Sequence, residues 1–305
     1  MRYPRSAALL LVLCLLGARA ATPPLASTNT VQLFNDTNLA GWSSWLVDSK
    51  RDDPRRVFTV TNGMIHISGD GLGYLATTNE FSDYRLVVEF KWGSRNTRWG
   101  DRIGKARDSG VFLHATGPDG NSHDGGGAFM AAIECNLFQG ATGDLLLIRG
   151  KQADGRLIAP RVTARAARNR DADGWPWWQP DGEQVTLEVW GRVNWRGKSP
   201  TWKDELDYRG PHDVEQAYGG WNRLEITCDG ASIEVRLNGT KVNEASSVWP
   251  QSGKILLQCE GAEIFFRRVT LMPLNKELGF SRNVFDVPKG MRFSTLGNRR
   301  EIYKR

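Results

Sequence analysis

Glu134 and Asn136 stand two residues apart in MAAIECNLFQGATGD (130–144), where Ile133, Cys135 and Leu137 fill the opposite phase of a strand pattern. A carboxylate can take or give a proton and an amide can hold a hydroxyl. One face of this strand is therefore equipped for chemistry on a polyol. Sorting other stretches by phase extends the pattern. Asp108, Phe112 and His114 oppose Val111 and Leu113. Gln258 and Glu260 oppose Leu257 and Cys259, and Glu188 and Trp190 oppose Leu187 and Val189. A merely wetted sheet face would scatter Thr, Lys and Ser. Here the polar phases favour Glu, Gln, Asn, His and Trp, an inventory suited to a saccharide groove, since indoles stack on the apolar face of a sugar.

These residues need strands to position them, and strands dominate the chain. VFTVTNGMIHIS (57–68) reads as a hairpin about Asn-Gly, and YRLVVEFKW (84–92) alternates cleanly. SGVFLHAT (109–116), VTLEVWGRV (185–193), NRLEITCDG (222–230), ASIEVRLNGTKVNEA (231–245), KILLQCEG (254–261) and EIFFRRVTLMPL (263–274) follow. "LNGT" marks a two-residue turn that needs positive φ at both central residues. Asn238 also opens an Asn-x-Thr sequon, as does Asn35. Helical periodicity is confined to a short segment near Arg161–Arg168. About ten strands with turn signals predict an all-β fold, a two-sheet antiparallel jelly-roll sandwich. Six of the twelve tryptophans fall between Trp175 and Trp202, in an insertion spanning roughly 150–220 that either rims a groove or is sealed onto the sandwich by its indoles. HDGGGAFM (123–130) lacks the Lys and Ser/Thr of a phosphate loop, which excludes a nucleotide site there.

The ends bound the setting. Arg2 and Arg5 precede an apolar run, and Ala18-Arg19-Ala20 is a small-x-small cleavage site, so residues 1–20 read as a secretory signal peptide. No other stretch approaches the roughly 18 apolar residues of a spanning helix. The expectation is a secreted or periplasmic protein with no stable membrane span. Removing that leader takes away Arg2, Arg5 and Arg19 and no acid, and the net charge falls from +6 to +3. An excess this mild, gathered in a peripheral tail (275–305), does not suit nucleic acid. A single sandwich domain is expected over 28–274. Cys135, Cys228 and Cys259 fall on apolar phases and read as buried free thiols, with one disulfide and a leftover thiol as the alternative.

Several motifs are also familiar. LFNDTNLAGW (33–42), DSGVFLH (108–114), IECNLFQGATGD (133–144), GGWNRLEITCDGASIEVRLNGTKV (219–242) and GKILLQCEGAEIFFRRVTLMPL (253–274) resemble, in order, segments of the 3-keto-disaccharide hydrolase domain family. The resemblance runs from about Val31 to Leu274. It implies a concanavalin-like sandwich, exported, acting on glycosides oxidised to a ketone at C3. Asn136 departs from the glutamine often found two residues after the glutamate, and the 150–220 region is longer than in compact members.

The implied chemistry sets requirements. A C3 ketone acidifies the C2 proton, so a base can remove it while the C1 substituent departs with acid help and water adds back. That takes a base, an acid and a group that polarises the ketone oxygen. Glu134 is the expected base, and His114 the expected acid or oxyanion donor, with Glu260 as competitor. Asp108, Asn136, Gln258, Arg267 and Trp190 are expected to bind substrate. No spacing is diagnostic of a metal site, although the residue types would suit a divalent cation. The alternative reading is a lectin-like binding sandwich without catalysis. A conventional glycosidase with two carboxylates flanking C1 is a weaker third.

Overall fold

The computed structural model describes residues 23–26 and 28–274, together with the backbone of two short strands, Arg292–Leu296 and Arg299–Tyr303. The expected leader lies outside the described residues, as does most of the tail. Within the tail those two strands pair as an antiparallel hairpin where no alternation was expected.

Two large antiparallel sheets form the sandwich. One has seven strands, in the spatial order Gly191–Val193, Leu145–Ile148, Ala131–Phe138, Asp108–Thr116, Lys254–Glu260, Leu72–Thr77 and Trp42–Leu46. The other has eleven and is built around the long strand Tyr84–Asn96, flanked by Asn222–Asp229 and Ala262–Met272. The inward phases of both sheets merge into one core: Val111, Leu113, Ile133, Cys135, Leu137 and Leu257 meet Leu86, Val88, Phe90, Ile226, Ile264 and Phe266. Among the described residues the only helical element is a 3-10 turn at Trp99–Asp101.

Local chemistry explains the hairpins. Asn62 (φ 50°) and Gly63 (φ 72°) turn the first, and Asn238 (φ 50°) and Gly239 (φ 84°) the "LNGT" hairpin, the paired positive φ values those turns demand. The helical expectation near 161–168 is overturned. Arg161–Arg170 is a strand, paired with Glu183–Glu188 on one side and Thr240–Trp249 on the other. Val162, Ala164 and Ala166 bury on alternate positions, so packing overrides the helix preference of Ala and Arg. Several strands went unrecognised, among them Trp42–Leu46, Leu72–Thr77, Leu145–Ile148 and Pro176–Trp178. The expected single strand 185–193 is broken at Val189 (φ 69°). Its first half joins the eleven-stranded sheet, while Gly191–Val193 forms an edge of the seven-stranded one.

Cys135, Cys228 and Cys259 are free and buried. Within residues 150–220, Trp177, Trp178 and Trp195 are buried and Trp190 is left 46% exposed. No helix among the described residues is long and apolar enough to cross a membrane.

Candidate active site

The outer face of the seven-stranded sheet gathers the ionisable side chains. Register fixes who faces whom. Arg192 lies opposite Leu146, Leu146 opposite Glu134, and Glu134 opposite Phe112. One rung along, Asn136 lies opposite Gly110, and beyond it Phe138 lies opposite Asp108. Gln258 sits opposite Tyr74 on the next strand pair. Since Ile133, Cys135 and Leu137 point into the core, alternation turns Glu134 and Asn136 outward.

This face is covered on two sides. Tyr74, Phe112, Met130, Ala132 and Leu256 form a second apolar cluster. The chain that leads from Asp108–Thr116 to Ala131–Phe138 is tied across it by Gly120 N donating to Tyr74 Oη (3.2 Å) and Ala131 N donating to Asn121 Oδ1 (2.8 Å). Toward the other end Gly100 backs onto Glu260, where an added Cβ would stand 3.1 Å from Glu260 Cγ. Glu134, Asn136 and Gln258 are consequently buried.

Gly110 floors the cluster. A Cβ there would lie 2.4 Å from Glu134 Oε1 and 2.8 Å from Gln258 Oε1, so both side chains fold over the glycine. Gln258 Nε2 donates to Glu260 Oε2 (2.6 Å). Gln258 Oε1 and Asn136 Oδ1 are buried without a partner among the described residues. Buried polar atoms are nearly always satisfied, so two orphaned acceptors on one face suit ligand hydroxyls. Arg102 donates to both carboxylate oxygens of Asp204 (3.1 and 3.2 Å) and lies 3.9 Å from Asp108 Oδ2.

Three carboxyls in so dry a place cannot all ionise freely. Burial pushes Glu134 well above the usual carboxylate range, and the nearby Glu260 charge adds to this while Arg192 opposes it. Asp108 is raised in the same way, by burial and then by Glu260 and Glu134. Burial pushes Glu260 up to about 7, against the pull of Arg102 and Arg192. Burial thus disfavours the charged form of all three carboxyls, and the arginines at the rim oppose it most directly at Glu260.

These shifts also tie stability to pH. A carboxyl whose folded pKa exceeds its unfolded value stabilises the fold while protonated, and that contribution fades as pH rises through the folded pKa. For Glu260 the window runs from 4.5 to about 7, which corresponds to about 3 kcal/mol. Thermal unfolding followed from pH 4 to 8 should show Tm declining across that window. Glu260→Gln should make the decline shallower without abolishing it, because buried Glu215, also raised to about 7, titrates in the same window, and the variant should be more stable than wild type at pH 8.

Asp108, Glu134, Asn136, Gln258 and Glu260 are therefore brought together. His114, Arg267 and Trp190 are not. His114 (φ 56°) sits where the register with both neighbouring strands slips by one residue, a bulge that breaks the alternation. Its Nδ1 donates to Pro250 O (2.8 Å), and its ring packs edge-on to the core residue Tyr84. Burial lowers its pKa to about 4, so it is neutral, with its ring packed against the core. Arg267 belongs to the eleven-stranded sheet, pairs with Glu89 (2.8 Å) and stacks on Trp221. Trp190 lies past the break at Val189, on the sheet edge beside His123 (6.0 Å between ring centroids). Glu188 left the face at the same break and lies opposite Arg161 in the other sheet. Arg102, Arg192 and Gly110 were missed. Arg192 continues the Glu188/Trp190 phase, and a glycine in mid-strand marks a close approach, so both carried a usable signal. Arg102 sits in a loop and carried none.

Among the described residues no three His, Cys, Asp or Glu side chains converge closely enough to hold a metal ion.

The sequence profile of the 3-keto-alpha-glucoside-1,2-lyase-like domain matches residues 29–272. A protein of Parabacteroides distasonis ATCC 8503, described as a candidate glycosyl hydrolase, is similar at 14% identity over 81% of this chain and 94% of that one, with a TM-score of 0.45. A Bacillus licheniformis β-glucanase is similar at 12% identity over 81% of this chain and 99% of that one, TM-score 0.42. A carbohydrate-binding module of Bacillus subtilis is similar at 11% identity over 81% and 99%, TM-score 0.40. No curated protein matches the chain.

Proposed function

Because the chain belongs to the 3-keto-alpha-glucoside-1,2-lyase-like domain family, a carbohydrate-acting family, we propose that it cleaves glycosides whose sugar carries a ketone at C3, by elimination across C1–C2 followed by hydration. The observation that carries this reading is the acid cluster at Gly110, where Glu134 and Gln258 fold over the glycine, Gln258 donates to Glu260, and burial raises both carboxyls. Paired carboxyls with separated proton affinities are how one site supplies both an acid and a base.

In this scheme Glu260 takes the C2 proton and the C2–H electron pair spreads onto the ketone oxygen. As the ketone re-forms, the C1–O bond breaks and the departing oxygen takes the proton of Glu134. Water then adds across C1=C2, its hydroxyl to C1 and a proton to C2, giving net hydrolysis. Asp108, Asn136 and Gln258 hold substrate hydroxyls, and the neutral His114 takes no part. The small-x-small site at Ala18–Ala20 and the apolar run before it support export, which would place the 28–274 sandwich where extracellular glycosides arrive.

The test compares aglycone release from a 3-keto-glucoside, in both anomers, with release from the unoxidised parent. Release from the keto substrate alone is expected, with a rate that climbs through about pH 7 as Glu260 ionises. Cleavage of the parent would point instead to a two-carboxylate glycosidase. Retained binding with no release from either substrate would leave a lectin-like protein.

A further inference from the structure

The elimination scheme leaves one requirement open, a cation or donor for the charge that develops on the ketone oxygen. We propose that Arg192 is that group, a catalytic residue whose guanidinium binds the C3 oxygen as it becomes an enolate; this rests on the function proposed above. Arg192 shares a continuous rung with Leu146 and Glu134 across three adjacent strands. Strands lie about 4.8 Å apart, so two spacings separate the arginine from the carboxyl, with Leu146 flooring the interval.

Its partners single it out. The side chain is 18% exposed, yet among the described residues its nearest acid atom is Asp144 Oδ2, 3.6 Å from Nε, and it makes no hydrogen bond. Asp144 is already served by Lys198 Nζ (3.2 Å) and by Trp195 N (2.7 Å). Lys198 is committed in turn, donating also to Asn194 Oδ1 (2.7 Å). Arg102, the other arginine at the cluster, spends its donors on Asp204 and on Gly100 O and Ala106 O. A guanidinium carries five donors in a fixed fork and cannot lose its charge. Arg192 is therefore a largely buried, permanently charged group with donors uncommitted, beside carboxyls whose proton affinity it lowers. Donors held in place before charge develops are what stabilise an oxyanion.

Electron flow follows from this position. The C2–H bond breaks toward Glu260, and its electron pair becomes the C2=C3 bond of the enolate. The former carbonyl pair rests on O3 against Arg192. When that pair returns, the C1–O bond breaks, and the aglycone oxygen receives the Glu134 proton. No other reactant is required.

The measurement is deuterium uptake at C2 from heavy water into a 3-keto-glucoside with a poor leaving group, read beside kcat, KM and the pH profile of aglycone release. Arg192→Met should slow C2 exchange and kcat by roughly 100-fold or more, change KM little, and move the rise in rate to higher pH. Arg192→Lys should recover part of the loss, because it keeps the charge without the fork, and added guanidinium should partly rescue Arg192→Met. Exchange at the wild-type rate in a folded Arg192→Met protein, or a loss confined to KM, would overturn the role of Arg192 while leaving the elimination scheme intact. A wild-type protein that releases aglycone without any C2 exchange or C2 isotope effect would overturn the scheme itself, and Arg192's role with it. Should Arg192→Met not fold, Arg192→Lys decides: a full wild-type exchange rate and pH profile would count against the proposal.

Discussion

Glu134→Gln is expected to release a nitrophenol from its 3-keto-glucoside at close to the wild-type rate, and a sugar or alkyl alcohol at least about 100-fold more slowly. A nitrophenolate departs unaided, whereas an alkoxide needs a proton as the C1–O bond breaks. Burial and the Glu260 charge both favour the protonated form of Glu134. Glu260→Gln should behave differently, losing both aglycones by about 100-fold or more, because C2–H cleavage precedes either departure. Steady-state release of the two aglycones by each variant checks the assignment. Equal losses on both aglycones in Glu134→Gln, with Glu260→Gln rescued by the good leaving group, would exchange the two roles and restore Glu134 as the base.

The second large effect is expected at a residue with no side chain. In Gly110→Ala the new methyl would occupy a position 2.4 Å from Glu134 Oε1 and 2.8 Å from Gln258 Oε1. Both atoms are the far ends of side chains that can swing away, so the strand and its pairing to Asn136 survive. Stability should change by no more than about 1 kcal/mol. The carboxyl, however, moves by an ångström or more, a displacement that costs roughly 100-fold in rate when a catalytic group is involved. A cooperative melt near that of wild type, together with a kcat/KM reduced about 100-fold, is the expected pair of results. Near-native activity in a folded variant would mean that Glu134 does not act from its position over Gly110.

Much of this site was legible because period-two alternation needs no knowledge of the fold. Ile133, Cys135 and Leu137 had to point one way, so Glu134 and Asn136 had to point the other, and the same reasoning carried Gln258 and Glu260. It failed where the backbone broke the period. The extra residue at His114 reverses its direction, and a bulge in an otherwise regular SGVFLHAT leaves no mark in residue type. Val189, a β-branched residue with φ 69°, is about the last residue from which a left-handed break would be expected. Arg267 failed for a different reason. Alternation says which side of its own sheet a residue faces and nothing about which sheet it joins, and its strand belongs to the sheet away from the acids. The helical reading of Arg161–Arg168 fell to a long-range pairing that no local window contains.

The three buried thiols described with the fold have a consequence for how this protein is made. A small-domain architecture exposed to an oxidising compartment often relies on covalent staples, but Cys135, Cys228 and Cys259 are each enclosed among apolar neighbours and unbonded. The sandwich between residues 28 and 274 therefore asks nothing of its redox surroundings. It needs no thiol oxidation to reach its native state, and a reductant has no bond there to cut. Its unfolding midpoint should therefore be the same in oxidising and in reducing buffer.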